Sequence, residues 1–200
     1  NLHDIKDSPM KSVIFTLGLS LSVLMSGCAV SPQSIVISPQ VTASGPAYGQ
    51  GRALAIKVDD RRSNKVLGSR GGIYESSSVI TISNDINNAL LLAVQSTAAQ
   101  LGFDGTSSAK PATLTLALDE LRYDTQTQNL VNTITISAKV TLITTIGGSS
   151  HTGHYQTQRS HQLPQLPDAQ KNQEIISEAL STSLERGFSD ISLANFLAKN

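Results

Sequence analysis

Four stretches of the chain alternate apolar and polar residues, which is the pattern of β-strands that bury one face. They cover residues 53–58, 113–123, 130–146 and 151–162, and a shorter β-prone run covers 79–82. The alternation in the second stretch changes phase at Asp119-Glu120, which predicts a β-bulge there. The fourth stretch is mostly polar and ends before Pro164, which favours a position at the edge of a sheet.

Two other stretches repeat their apolar residues every three or four positions, as an amphipathic helix does. The first follows Ser83, a candidate N-cap, and stops at Gly102. The second follows Asp168, another candidate N-cap, and stops at Gly187. The two apolar stripes comprise Ile86, Leu90, Val94 and Leu101, and Ile175, Ile176, Ala179, Leu180 and Leu184. A last short turn is expected to return to the domain through Ile191, Phe196 and Leu197.

The order of these elements is β-α-β-β-β-α, and each strand is apolar on one side only. This pattern predicts an α+β fold, in which a four-stranded mixed or antiparallel sheet carries two main helices packed on one face. The sequence places this single domain at residues 52–200. Its core is expected to combine helix and strand residues, namely Leu90, Leu116, Ile136 and Leu180.

The N-terminal region has the three parts of a secretory signal. A short basic start at Met10-Lys11 is followed by an apolar run to Met25 and by small residues before Cys28. The run is shorter than the roughly 20 residues that span a bilayer. Its ending resembles the lipobox of bacterial lipoproteins, which implies a signal peptide at 10–27 and acyl chains on Cys28. Residues 1–9 are then expected to be upstream translated sequence or artificially added residues.

Residues 28–51 are expected to form the lipidated N-terminus and a tether, because they contain several prolines and glycines and no charge. Three acyl chains hold a protein on a bilayer stably, whereas one chain binds only marginally. In lipoproteins of this kind an aspartate after the cysteine signals retention in the inner membrane. Ala29 occupies that position here, which favours the outer membrane.

Composition excludes some classes of function. The formal net charge is zero and no basic patch is present, so the sequence lacks the electrostatic footprint of a nucleic-acid-binding protein. Cys28 is the one cysteine, so an acylated chain forms no internal disulfide. The chain has four Tyr, four Phe and no Trp, which argues against a stacking groove for sugars or bases.

The residues that suggest chemistry do not form a recognisable catalytic or metal motif. His151, His154 and His161 lie in one predicted strand, where residues three apart point to opposite faces, so solvated histidines are favoured over a metal site. The glycine-rich run 68–72 lacks the Gly-Lys-Ser/Thr of a phosphate loop. No Gly-x-Ser-x-Gly motif is present. We therefore expect no cofactor, no metal, no catalytic residue and no enzymatic activity.

Charge is concentrated where the first strand ends, at Asp59, Asp60, Arg61 and Arg62, with Arg70 in the following glycine-rich loop. Exposed pairs of this kind contribute only about 0–1 kcal/mol each, so simple solvated pairing is one interpretation. The other interpretation is a docking surface, because arginine binds carboxylates in a bidentate manner and loops carry function. These five residues are the candidate partner-binding residues.

Several of these features together resemble one family. They are Cys28, the run Val58-Asp59-Asp60-Arg61-Arg62, the run Leu67-Gly68-Ser69-Arg70 and the helix ending Leu101-Gly102-Phe103. This combination resembles the YajG family of uncharacterised outer-membrane lipoproteins. The resemblance implies a lipid-anchored protein at the outer membrane with its domain facing the periplasm, and it implies no chemistry.

Two functional hypotheses follow. In the first, the domain is a non-catalytic adaptor that binds another envelope protein while its lipid anchor binds the membrane. In the second, it is a periplasmic module that binds a glycan or lipid fragment. The second hypothesis requires an apolar or aromatic pocket, for which the sequence supplies few aromatic residues.

Overall fold

The computed structural model describes residues 30–44, 46–72 and 75–200. Residues 1–9, the predicted signal peptide at 10–27 and the predicted lipidation site Cys28 lie outside the described residues. The described part contains seven strands and three α-helices. The strands are β1 (Gln33–Ile35), β2 (Leu54–Asp60), β3 (Val66–Ser69), β4 (Val79–Ile82), β5 (Ala112–Gln128), β6 (Val131–Ile146) and β7 (Ser149–Leu163). The helices are α1 (Ile86–Gln100), α2 (Ala169–Phe188) and α3 (Ile191–Lys199), and a 3-10 turn covers Glu75–Ser77.

All seven strands form one mixed sheet in the order β1-β4-β3-β5-β6-β7, with β2 also paired to β5. The fold is α+β, but the prediction of a four-stranded sheet is wrong. The three additional strands, β1, β3 and β4, have only three or four residues each. Such short strands show little alternation of their own, and they form because distant segments supply their hydrogen-bond partners.

Strands β2 and β3 lie end to end along the same side of β5. Asp60 of β2 is paired with Leu118, whereas Gly68 of β3 is paired with Tyr123. The predicted β-bulge in β5 is confirmed between Leu118 and Glu120, so it faces the gap between the two strands. The loop 61–65 crosses this gap. A Cβ atom at Gly68 would overlap the carbonyl oxygen of Tyr123, and glycine therefore permits β3 to approach β5 closely.

The apolar face of the sheet packs against the helices in one hydrophobic core. Leu90, Leu116, Ile136 and Leu180 are all 0% exposed and belong to the same cluster, as predicted. The N-cap of α2 is Asp168, whose side chain accepts a hydrogen bond from the Lys171 amide, and this prediction is also confirmed.

Three details of the helix prediction are wrong. The N-cap of α1 is Asp85 rather than Ser83. Gly187 does not end α2, which continues to Phe188. A Cβ atom at Gly187 would lie 2.6 Å from the side chain of Leu142. Its role is therefore to permit close packing of the helix on the sheet. Ile191 is 71% exposed, whereas Leu197 is buried as expected.

The segment 36–42 lies in an extended conformation between α1 and α2. Its side chains alternate between buried and exposed, with Ile37, Pro39 and Val41 buried. Amides at 36, 38, 40 and 42 donate hydrogen bonds, 2.9–3.4 Å long, to side chains of α2. The acceptors are Gln173, Ser177, Ser181 and Glu185. The spacing of the donors matches that of the acceptors, because two residues of extended chain span about 6.7 Å and four residues of helix span about 6 Å. The described part of the proposed tether is therefore packed against the domain.

No helix in the described part of the chain combines the length and the apolar character that crossing a bilayer requires.

Candidate functional site

The face of the sheet opposite the helices is polar. It presents side chains from β2, β5, β6 and β7, and among these Arg122, His154 and Gln156 are exposed to solvent. The five candidate partner-binding residues lie at the end of β2, directly after it and directly after β3. The structure divides them into three groups with different surroundings.

Asp60 and Arg62 form a buried ion pair. Their side chains are only 8% and 5% exposed. The guanidinium group donates two hydrogen bonds to the carboxylate, at 2.8 and 2.9 Å, and Lys65 Nζ donates a third at 2.8 Å. Burial alone would raise the pKa of Asp60, but the hydrogen bonds from Arg62 and Lys65 outweigh it and hold this pKa well below its ordinary value.

Asp59 and Arg61 form an exposed ion pair on the other side of the same strand. Arg61 Nε lies 2.8 Å from Asp59 Oδ2, and the two side chains are 44% and 55% exposed. The hydrogen bond to Asp59 raises the pKa of Arg61, and the negative charge of Asp119 on the neighbouring strand adds to this effect. These two residues are therefore available to a partner, whereas Asp60 and Arg62 are largely occupied by each other.

Arg70 is separate from both pairs and joins three distant segments. Its guanidinium group donates to the carbonyl oxygen of Ser31 at 2.9 Å and to that of Pro167 at 3.0 Å. The side chain of Gln33 lies beside it, with an amide atom 3.1 Å from Arg70 Nε. The arginine therefore holds the N-terminal segment against the loop before α2.

A groove opens between the loop 61–65 and the second half of β5. Its volume is about 590 Å³. The residues that line it come from three segments and include Arg62, Ser63, Asn64, Glu75, Asp119, Glu120, Arg122 and Asp124. We call it the crossing groove. On its floor Arg122 Nε lies 3.0 Å from Asp124 and 3.7 Å from Glu120, so one exposed arginine alternates with two carboxylates. Tyr123, the one aromatic side chain among the described residues of its lining, is 1% exposed.

A chain of hydrogen bonds leads from the crossing groove across the polar face. Thr141 Oγ1 lies 2.5 Å from Asp119 Oδ2 and 2.7 Å from His154 Nδ1. Because the carboxylate only accepts, the threonine hydroxyl donates to Asp119 and accepts from His154 Nδ1–H. This arrangement fixes the orientation of the imidazole ring.

Sequence reasoning did not identify Asp119, Thr141 and His154 as neighbours. Thr141 and His154 are direct cross-strand partners on β6 and β7, and this register is the information that connects them. His151, three residues before His154, lies on the other face and packs against Phe196 with ring centroids 5.8 Å apart. The prediction that these two histidines point to opposite faces is confirmed. Among the described residues, no three side chains of His, Cys, Asp or Glu are grouped as a metal site requires.

The N-terminal pattern predicts a lipoprotein, and comparison with known families agrees. A family model described as "Uncharacterized lipoprotein" matches residues 39–198. The chain belongs to this family of uncharacterised lipoproteins. Membership indicates an envelope protein that is anchored to a membrane, and the family description names no activity. No curated protein matches the chain.

Three solved structures show limited similarity. Protein XCC0632 from Xanthomonas campestris is 12% identical, with a TM-score of 0.49 over 82% of this chain and 98% of that chain. An uncharacterised protein is 12% identical, with a TM-score of 0.37 over 84% and 97% of the two chains. Lipoprotein GNA1162 from Neisseria meningitidis is 12% identical, with a TM-score of 0.24 over 66% and 97%. Similarity at this level carries no functional argument.

Proposed function

We propose that this chain is an outer-membrane lipoprotein, anchored through Cys28, whose periplasmic domain binds another envelope protein at the crossing groove. In this proposal the domain is an adaptor without catalytic activity. Asp59 and Arg61 form the rim of the interface, and Arg122 with its two carboxylate neighbours forms its floor.

The chemical character of the crossing groove is the observation that carries this proposal. Its exposed groups are carboxylates, guanidinium groups and hydroxyls, which complement a polar protein segment. The described residues that line it offer no exposed aromatic ring for a sugar and no broad apolar lining for an acyl chain. The groove therefore favours the adaptor over a module that binds glycan or lipid fragments.

The hydrogen-bonded histidine supports a non-catalytic interpretation. In a nucleophilic site the histidine accepts the proton of an accessible hydroxyl. Here Thr141 is 4% exposed, and its hydroxyl directs its proton to Asp119 rather than to His154. The three residues are thus arranged to hold one another in place across β5, β6 and β7.

Photocrosslinking tests the adaptor. A photoreactive phenylalanine analogue at Ser63, which is exposed on the groove rim, is expected to capture an envelope protein in intact cells. The same analogue at Gln95, exposed on α1, is the matched control and is expected to capture nothing specific. Charge reversal by Arg122→Glu should weaken the captured complex by about tenfold, or ~1.4 kcal/mol, because arginines often dominate interfaces.

The control for charge reversal is Lys171→Glu. Lys171 is also an exposed member of a surface ion pair, with its side chain 48% exposed, but it lies on α2. Equal capture from Ser63 and Gln95, or equal weakening by both reversals, would contradict an interface at the groove. Saturable binding of purified peptidoglycan or lipopolysaccharide fragments that Arg122→Glu abolishes would favour the alternative module.

The anchor has its own test. Mass spectrometry of the membrane fraction is expected to identify an acylated peptide that begins at Cys28, because the signal-like segment ends at this cysteine. A Cys28→Ser variant should remain uncleaved and should lack the acyl mass. A free Cys28 thiol within an uncleaved chain would contradict the anchor and leave the groove hypothesis untouched.

A further inference from the structure

The turn between β5 and β6 has an unusual residue at its tip. The two turn residues, Asn129 and Leu130, have φ values of 51° and 63°. Two positive φ values in succession are typical of a type I′ turn, in which asparagine followed by glycine is preferred. Leu130 therefore occupies a position where glycine is usual, and its side chain is 90% exposed. The next residue, Val131, is 42% exposed.

Nothing in the described protein compensates for this leucine. A left-handed backbone conformation is unfavourable for a residue with a branched apolar side chain. Leu130 does not belong to the hydrophobic core. Asparagine or glycine would suit the turn better, so packing within the described domain does not explain the leucine.

The hairpin tip lies at the end of the domain where the N-terminal segment enters. Thr125 on β5 donates a hydrogen bond to the Ser69 carbonyl at 3.0 Å, and Arg70 next to it holds Ser31. Gly72 lies beside Val30, since a Cβ there would be 3.5 Å from Val30 Cγ2. The β6–β7 turn, which begins after Ile146, lies at the opposite end of the same strands.

The chain has little length left between this end and the proposed anchor. Val30 is the first described residue and follows Cys28 by two positions. Two residues span at most about 7 Å. Acyl chains on Cys28 would therefore hold this end of the domain, rather than the opposite end, against the bilayer surface.

We propose that Leu130 and Val131 insert into the interfacial region of the membrane and set the orientation of the domain on it. This inference rests on the lipid anchor of the proposed function. The residues from Gln126 to Thr133 carry no charge, so inserting the tip requires no desolvation of an ion. A lipid surface is favoured over a protein partner because the anchor brings that surface to the tip.

Insertion of the tip would also set the distance of the crossing groove from the membrane. Asp124 and Asp119 precede Gln128 by four and nine residues on β5. At about 3.4 Å per residue the groove would lie roughly 14–31 Å from the membrane. At that height it could be reached by a periplasmic protein or by the periplasmic part of a membrane protein.

Depth-dependent fluorescence quenching tests the insertion. Mature lipidated protein carrying Gln128→Cys is labelled with an environment-sensitive fluorophore, which reacts there because the Cys28 thiol is acylated. The protein is reconstituted in vesicles of phosphatidylethanolamine and phosphatidylglycerol that contain nitroxide-labelled lipids. We expect a shift of emission to shorter wavelength and quenching by nitroxides near the headgroups. The label at Ser149→Cys, in the opposite turn, is the control and should show neither effect.

The Leu130→Asn variant separates insertion from folding. Asparagine adopts positive φ readily, so the melting temperature of the variant should equal or exceed that of the wild type. Quenching of the label at position 128 should be lost. Unchanged quenching in Leu130→Asn, or none in the wild type, would overturn the inference, as would capture of a protein at the tip without quenching. Failure of the anchor is distinguishable, because all variants, including Ser149→Cys, would then fail to float with the vesicles. That result would overturn the anchor and this inference, and it would leave the groove hypothesis untouched.

Discussion

Replacing Arg62 by alanine is expected to lower the free energy of unfolding by about 3 kcal/mol, because removing one partner of a buried ion pair leaves the other charge uncompensated. Asp60 would keep the backbone amide of residue 62 and one cation, Lys65, whose side chain is 62% exposed and whose attraction is therefore screened by water. Urea denaturation of the wild type and the variant measures the difference.

The effect should depend on pH in a defined direction. In the wild type the pKa of Asp60 lies below its ordinary value, so the stabilisation is present above the pKa of an unfolded aspartate, roughly 3.9, and is lost as the pH falls through the folded pKa. In Arg62→Ala the pKa of Asp60 should rise, because burial then dominates. The difference between the two proteins should therefore be largest near neutral pH and smaller in acid.

Arg61→Ala is the matched control for this experiment. The two arginines are adjacent in sequence, but Arg61 is 44% exposed in its pair with Asp59. Exposed pairs contribute about 0–1 kcal/mol, so this variant should unfold almost as the wild type does. Equal destabilisation by the two substitutions would mean that burial does not distinguish the two pairs.

The division of the charged cluster shows where sequence reasoning stopped being sufficient. Alternation predicted the strand correctly but ended it at Val58, and the structure extends it to Asp60. In the longer strand Asp60 shares the core side with Val58, and Asp59 shares the polar side with Lys57. Buried charges are rare, so an exposed cluster was the natural expectation. The burial of Asp60 becomes predictable only when its partners, Arg62 and Lys65, are known to fold back onto it.

The long elements were predictable because their pattern is repeated many times. Strands β5 and β6 have 17 and 16 residues, and even the bulge at Asp119-Glu120 was visible as a change of phase. The short strand β3 was not predictable from the sequence, because its four residues pair mainly through the backbone with segments distant in sequence. The contact of Thr141 with His154 likewise depends on strand register, which alternation alone does not specify.

Leu180→Ala is expected to lower the free energy of unfolding by about 2–5 kcal/mol, the range for removing a large aliphatic side chain from a core. Leu180 is 0% exposed and lies on the face of α2 that packs against β6 and β7. The same helix carries the four acceptors for the segment 36–42, which covers an adjacent side of the helix. With neighbours on both sides, the site has little freedom to collapse around the missing atoms, which favours the upper part of the range.

Leu92→Ala is the control for this prediction, since it makes the same chemical change on α1. Leu92 is 58% exposed, so its truncation removes little buried surface, and alanine has the higher helix propensity. Its unfolding free energy should stay within about 0.5 kcal/mol of the wild type. A loss below that value for Leu180→Ala would show that α2 does not pack on the sheet as described. A large loss for Leu92→Ala would instead show that this exposed part of α1 is covered in solution.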